Sequence, residues 1–355
     1  MTARPFPLNV LGLCALLFTT PACYDRTTEP EPEPPPQQPD GQNPNFFGPP
    51  SPPAPPPLPE RASCSGLTVG PGTYDWNVTH AGRTRLYRVR VPTGYDATKP
   101  TPAVLSFHGY GSNEQEQEGL SRMSQQANAQ GFIAVYPRGL NQPEVTGTPD
   151  PRTEDTRGWN AGVCCGPPQI ARVDDVGFVD ALLADLDTRV CLDTRRIFAT
   201  GLSTGGFFSY RLACERSGQF AAIAPVAGME GFAPCSPVRP VSVMHFHGVD
   251  DPTILFQGGN NIPFGGPYPS ALESVARWAD RGLCLGPTQT TYDQGDSSCR
   301  TNTGCAQNAA VTLCTVQGGG NTWPGGLIPP DRGYTTQDLD ATREMWRFFS
   351  AHPRL

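Results

Sequence analysis

Arg196-Ile197-Phe198-Ala199-Thr200-Gly201-Leu202-Ser203-Thr204-Gly205-Gly206-Phe207-Phe208-Ser209-Tyr210-Arg211-Leu212-Ala213 runs from a short apolar strand through a Gly-x-Ser-x-Gly turn into a helix. In that setting the turn reads as a nucleophile elbow. So tight a turn admits only small residues two places before and two places after Ser203. It would push the hydroxyl out at the C-terminal end of the strand and aim the first N–H groups of the helix at the same point. A glycine-rich turn with a capping serine is the competing reading.

Working outward, Thr73–His80 and Thr84–Val91 read as a hairpin, with Tyr87, Val89 and Val91 alternating with Arg88 and Arg90 across an Ala81-Gly82 turn. Ala103–Phe107, Phe132–Tyr136, Ala221–Val226, Val241–Phe246 and Val311–Val316 are apolar runs of strand length. Helices are expected over Gln115–Gln130, after a cap at Asp174 or Asp175, over Ser270–Arg281 and from Asp338 to about Ser350. Pro137–Ala171 is read as one long loop. Strands alternating with helices predict an α/β chain, with a mostly parallel central sheet and helices on both faces. Sites in such sheets gather at the C-terminal ends of the strands. Ser203, the loop after Phe107 and the loop at Asp250-Asp251 all fall there.

Of 355 residues, the first stretch is not read as fold. Residues 1–22 carry Arg4, an apolar run from Val10 to Phe18 and a small-residue ending, the pattern of a secretory signal peptide. The run is too short to span a bilayer. Cleavage before Cys23 would leave a cysteine for lipidation and membrane attachment, as in a surface lipoprotein. Thr20-Pro21-Ala22 also fits ordinary secretion. Residues 23–61 are Pro-rich and apolar-poor, a disordered linker by composition. Residues 62–355 suit one large domain, expected to be monomeric.

Ten of the twelve cysteines lie in that domain. With a signal peptide, an even count points to disulfides. The spacing suggests Cys214–Cys235, Cys299–Cys305 and Cys284–Cys314, and adjacent Cys164 and Cys165 are expected to take separate partners. No C-x-x-C pair exists and there are five histidines, so neither a metal nor another cofactor is expected. A net charge of −7 with no basic stripe argues against nucleic acid as a partner.

An esterase needs an activated serine, an imidazole, an orienting carboxylate and two N–H donors for the oxyanion. The α/β-hydrolase order is serine, acid, histidine. Asp251, beyond Val241–Phe246, is placed as the acid, with neighbouring Asp250 as the alternative. The donors would be the N–H groups of Thr204 and Tyr110. Phe107-His108-Gly109-Tyr110-Gly111-Ser112-Asn113, Gly158-Trp159-Asn160-Ala161-Gly162-Val163-Cys164-Cys165-Gly166, Val173-Asp174-Asp175-Val176-Gly177-Phe178, His245-Phe246-His247-Gly248 with Asp251-Pro252, and Gly318-Gly319-Gly320-Asn321-Thr322-Trp323-Pro324-Gly325 accompany the elbow. Together, over about residues 65 to 352, they resemble the secreted polyhydroxybutyrate depolymerase and feruloyl/acetylxylan esterase group of α/β-hydrolases. The resemblance implies a disulfide-stapled α/β-hydrolase fold and a serine esterase of polyester or plant-wall esters. By it, Ser203 is the nucleophile and Asp251 the acid.

One position departs from that pattern. Where the group carries its general base, this chain has Asn321. An amide is not basic near neutral pH, so loss of the base would cost roughly 10⁴ to 10⁶ in turnover. His80, His108, His245, His247 and His352 are the possible substitutes, and each has a structural reading. Trp159 and Trp323 are candidates to stack on a sugar or aromatic acyl group, or to pack in the core. Two functions compete: an esterase, active or weakened, and an inactive homologue that binds a polymer or glycan. A peptidase of the same fold is a third reading.

Overall fold

A computed structural model of the chain describes residues 53–152, 156–262 and 265–355. The proposed signal peptide and most of the proline-rich segment lie outside them. Residues 53–61 carry no helix or strand, and the Arg61 guanidinium donates to the Asp187 carboxylate at 2.6 Å.

Ten strands form one sheet: β1 Gly72–His80, β2 Arg83–Val91, β3 Thr101–Phe107, β4 Ile133–Pro137, β5 Leu192–Leu202, β6 Ala222–Val226, β7 Ser242–Gly248, β8 Thr288–Gln294, β9 Ser297–Asn302 and β10 Val311–Val316. Their order across the sheet is β1-β2-β4-β3-β5-β6-β7-β10-β9-β8. Every neighbouring pair from β4 to β10 is parallel, and the flanking hairpins are antiparallel. The central strands are buried along their whole length, as parallel strands covered on both faces must be.

The helices are α1 Glu114–Ser121, α2 Met123–Gln130, α3 Gln142–Thr146, α4 Pro167–Ile170, α5 Asp175–Arg189, α6 Thr204–Glu215, α7 Ala271–Arg281 and α8 Ala341–Ala351. Phe178, Leu182, Leu183 and Leu186 of α5, Phe207, Phe208, Tyr210 and Leu212 of α6, and Val275 and Trp278 of α7 fill one core layer. Met123 and Ala127 of α2 with Met345 and Phe349 of α8 fill the other. This is the α/β-hydrolase fold, a mostly parallel sheet with helices on both faces.

Several local expectations change. The single helix over Gln115–Gln130 is two, because Arg122 turns left-handed (φ 53°) between them. The Thr342 hydroxyl of α8 donates to the Ser121 carbonyl at 2.6 Å, so a tertiary contact takes a group that would otherwise serve the helix. The long loop after β4 contains α3 and α4. The last helix starts at Ala341, where the Asp340 carboxylate caps the Arg343 N–H. Strands β8 and β9 were not expected at all. Their residues are mostly polar and exposed, so neither strand announces itself as an apolar run.

That hairpin also corrects the disulfides. Cys299 on β9 lies directly opposite Cys314 on β10, and these two pair. Cys305, beyond the end of β9, pairs instead with Cys284. Cys214–Cys235 is as expected, and Cys64–Cys191 ties the start of the domain to β5. Cys164 and Cys165 bond to each other rather than to separate partners.

Cys64 and Cys191 are separated by 127 positions, the longest span of the five. On chain-entropy grounds this bridge stabilises most, about 4 to 5 kcal/mol against about 3 for a 15-residue loop. Replacing both residues by Ala should therefore lower the melting temperature more than the same change at Cys299 and Cys314. Equal losses by calorimetry would contradict this.

Candidate active site

Ser203 stands between β5 and α6 with φ 55° and ψ −116°, a conformation disfavoured for a residue with a Cβ. The surroundings hold it there. Its N–H donates to the Val226 carbonyl at 2.9 Å, and its carbonyl accepts from the Phe207 N–H at 3.0 Å. A Cβ at Gly201 would lie 2.6 Å from the Phe107 carbonyl oxygen, and one at Gly205 would overlap that same oxygen. The two glycines of the motif therefore let the end of β3 press against the elbow. Ser203 is 7% exposed and lines a cavity of about 370 Å³.

The two candidate oxyanion donors are backbone groups. Thr204 opens α6, where its N–H has no intrahelical acceptor. Tyr110 follows β3 and, among the described residues, its N–H meets no backbone carbonyl. The Tyr110 ring packs against Gly166 and lines the cavity together with Cys165 and Ile254. Behind it, His108 is fully buried. Its Nε2 accepts from the Gly139 N–H at 2.9 Å, which leaves the proton on Nδ1 to donate to the Gly109 carbonyl at 2.8 Å. Burial pushes its pKa down to about 4, so it is a neutral brace for this loop.

Asp251 lies three residues past β7 and is 2% exposed. One carboxylate oxygen accepts from the N–H groups of Thr253 (2.8 Å) and Ile254 (2.9 Å). The other accepts from the Asn321 side-chain amide at 2.9 Å. Asn321 follows β10 and is also 2% exposed. The structure thus joins the candidate acid to the asparagine that stands where a base was expected. Asp250, the alternative, is exposed, and the Asn321 amide hydrogen-bonds to Asp251 instead. Burial raises the Asp251 pKa; nearby His247 and the amide of Asn321 oppose that shift.

No imidazole joins this group as a base for Ser203. His80 meets Asp174 at 3.0 Å, and His352 meets the Phe348 carbonyl at 2.7 Å. His245 and His247, which the sequence offered as possible substitutes but read more readily as core histidines, form a buried line. His247 Nε2 donates to the Ile254 carbonyl at 2.8 Å, so its Nδ1 is bare and accepts from His245 Nε2 at 3.0 Å. His245 Nδ1 then accepts from the Tyr210 hydroxyl at 2.8 Å. His247 Nε2 also lies 3.6 Å from the Asp251 carboxylate. Burial lowers the pKa of both imidazoles. The line supports the acid-bearing loop from behind; spacing of two along β7 was its only trace in the sequence.

Trp159 and Trp323 do not face a ligand. Both indoles are 0% exposed. Trp159 stacks on Phe208 and donates to the His108 carbonyl at 3.0 Å, while Trp323 donates to the Thr342 hydroxyl at 2.9 Å. They anchor the loops on which their motifs lie. Asp175 does similar work: one oxygen accepts from Arg85 at 2.6 Å and the other from the Asn160 N–H at 2.8 Å, all buried.

The fold and this elbow define a hydrolase-type site. No family model matches the chain. Feruloyl esterase B of Piromyces equi is 28% identical over 243 residues, 66% of this chain and 42% of that protein. Feruloyl esterase D of Neurospora crassa is 26% identical over 303 residues, 83% of this chain and 92% of that protein. The solved structure of acetyl xylan esterase from Aspergillus awamori shares the fold at a TM-score of 0.50 and 15% identity, covering 78% of this chain and 99% of that one. The chain is thus similar in sequence to feruloyl esterases and shares its fold with an acetyl xylan esterase.

The Thr204 hydroxyl is buried and has no hydrogen-bond partner. A buried unpaired hydroxyl costs about 1 to 3 kcal/mol. Thr204→Val keeps the shape and removes that group, so it should leave stability unchanged or raise it, with fluorophosphonate labelling of Ser203 unaffected. A loss of stability above about 1 kcal/mol in chemical denaturation would show that the hydroxyl has a partner in solution.

Proposed function

We propose that this chain is a secreted or surface-attached serine carboxylic-ester hydrolase of plant-wall or polyester esters, weakened by the asparagine at position 321. The observation that carries the reading is the strained Ser203 at the turn between β5 and α6, lining a cleft together with Thr204 and Tyr110. The names of the relatives support the ester class.

In the proposed reaction the Ser203 oxygen adds to the ester carbonyl carbon. The oxygen that becomes negative is held by the N–H groups of Thr204 and Tyr110. Collapse expels the alcohol and leaves an acyl group on Ser203, and water then adds to that carbonyl and frees the acid. In both halves a proton must leave the attacking oxygen and reach the departing one. An imidazole at position 321, oriented by Asp251, would carry it. The Asn321 amide donates to Asp251 but accepts no proton near neutral pH, so solvent must serve. The second reading, a pocket that binds esters or glycans without turnover, is favoured by the same Asn321–Asp251 bond.

Wild type should hydrolyse a short-chain nitrophenyl ester slowly, with a rate that climbs with pH and shows no plateau between about pH 6 and 8, since no neutral imidazole serves it. Asn321→His should gain at least about tenfold and introduce a plateau above the imidazole pKa, ordinarily about 6.5. Ser203→Ala should abolish both turnover and fluorophosphonate labelling. Wild-type rates equal to those of Asn321→His would overturn the assignment of position 321, and labelling retained by Ser203→Ala would overturn that of the nucleophile.

A further inference from the structure

Besides the cleft that Ser203 lines, the protein has a second one lined by the residue before it, Leu202. The first, described above, lies on the Thr204 and Ile254 side. The second has a volume of about 360 Å³ and opens on the other side of the loop after β3, where Gly109 and Leu202 form its floor and Leu327, Ile328 and Arg332 its far wall. The two floor residues adjoin the oxyanion donor Tyr110 and the nucleophile itself.

Arg332 gives this cleft its chemistry. A methyl group placed on Gly109 would lie 3.5 Å from Arg332 Nη1 and 3.6 Å from Ser203 Cβ, so the guanidinium and the nucleophile converge on one point. Among the described residues Arg332 forms no ion pair and no side-chain hydrogen bond, although the chain carries an excess of acidic residues. Nearly every other arginine near the site is committed: Arg157 to Glu144, Arg85 to Asp175, Arg211 to Glu215. Glu116, the carboxylate lining the same cleft, accepts from the Ser112 hydroxyl at 2.7 Å instead. Leu327 and Ile328 are 49% and 67% exposed, apolar surface beside an unpaired cation.

We propose that this second cleft is a subsite for a carboxylate-bearing portion of the ester, with Arg332 holding the carboxylate and Leu327 and Ile328 covering the carbon skeleton next to it. The assignment rests on the esterase reading for the identity of the ligand, but binding at Arg332 needs no turnover. A planar guanidinium matches a carboxylate with two parallel N–H donors, which a neutral ester lacks. Its distance from Ser203 suits an acid group a few bonds from the scissile carbonyl. The preferred ligands are therefore half-esters of dicarboxylic acids or esters that neighbour a uronic acid.

Binding is measured on Ser203→Ala with monophenyl glutarate and its neutral methyl ester as a matched pair, by titration calorimetry at low salt. The anion should bind about fivefold tighter, the scale of one half-exposed ion pair, and 0.5 M salt should erase the difference. In the background of Ser203→Ala, Arg332→Gln should remove the preference and Arg332→Lys should keep part of it. No preference for the anion, or a preference unchanged in Arg332→Gln, would overturn the subsite. Fluorophosphonate labelling of the wild type reads the esterase assignment separately, so either assignment can fail without the other.

Discussion

The Phe107 carbonyl, pressed between Gly201 and Gly205, is the contact on which the rest of the site depends. Because no side chain intervenes, the end of β3 meets the elbow backbone to backbone. That closeness sets the loop carrying Tyr110 beside the elbow, and Tyr110, Ser203 and Thr204 line one cleft. Gly109 and Leu202, the neighbours of Tyr110 and Ser203 in sequence, line the second cleft. A larger residue at either glycine would push the end of β3 away from the elbow even if the sheet itself formed.

Around that contact, buried polar groups fix loops that carry no regular structure. His108 bridges Gly109 and Gly139, Trp159 reaches the His108 carbonyl, and Asp175 joins Arg85 to Asn160. His108, Trp159 and Asp175 each meet a partner at a buried position, where an unpaired group would be costly. These loops can therefore be long and still be placed as firmly as the strands. The same economy applies to Asp251, whose two oxygens meet three N–H donors.

Much of this was legible in the sequence for a simple reason. Parallel strands buried on both faces are apolar runs, and β3, β4, β5, β6, β7 and β10 read as such. The elbow was legible because glycines at both ends of the serine turn have one steric purpose. Polar β8 and β9 were not legible, and with them went the register that sets Cys299 opposite Cys314. Pairing by spacing fails where an unseen strand decides which residues face each other. The tryptophans misled for a different reason: an indole offers the same large apolar surface to a core or to a ligand, and only the neighbours decide. Arg332 gave no signal, since it depends on a chain reversal that brings the segment after Asn321 back over Gly109.

The Tyr210–His245–His247 line has an orientation that cannot be reversed without losing a bond, because the Ile254 carbonyl only accepts. Both rings must stay uncharged, as must His108. In the unfolded chain each would take up a proton below about pH 6.5, whereas the folded interior refuses it until the pH is lower. Acid therefore drains stability from the inside of the molecule, at up to about 1.4 kcal/mol per imidazole for each pH unit below that threshold.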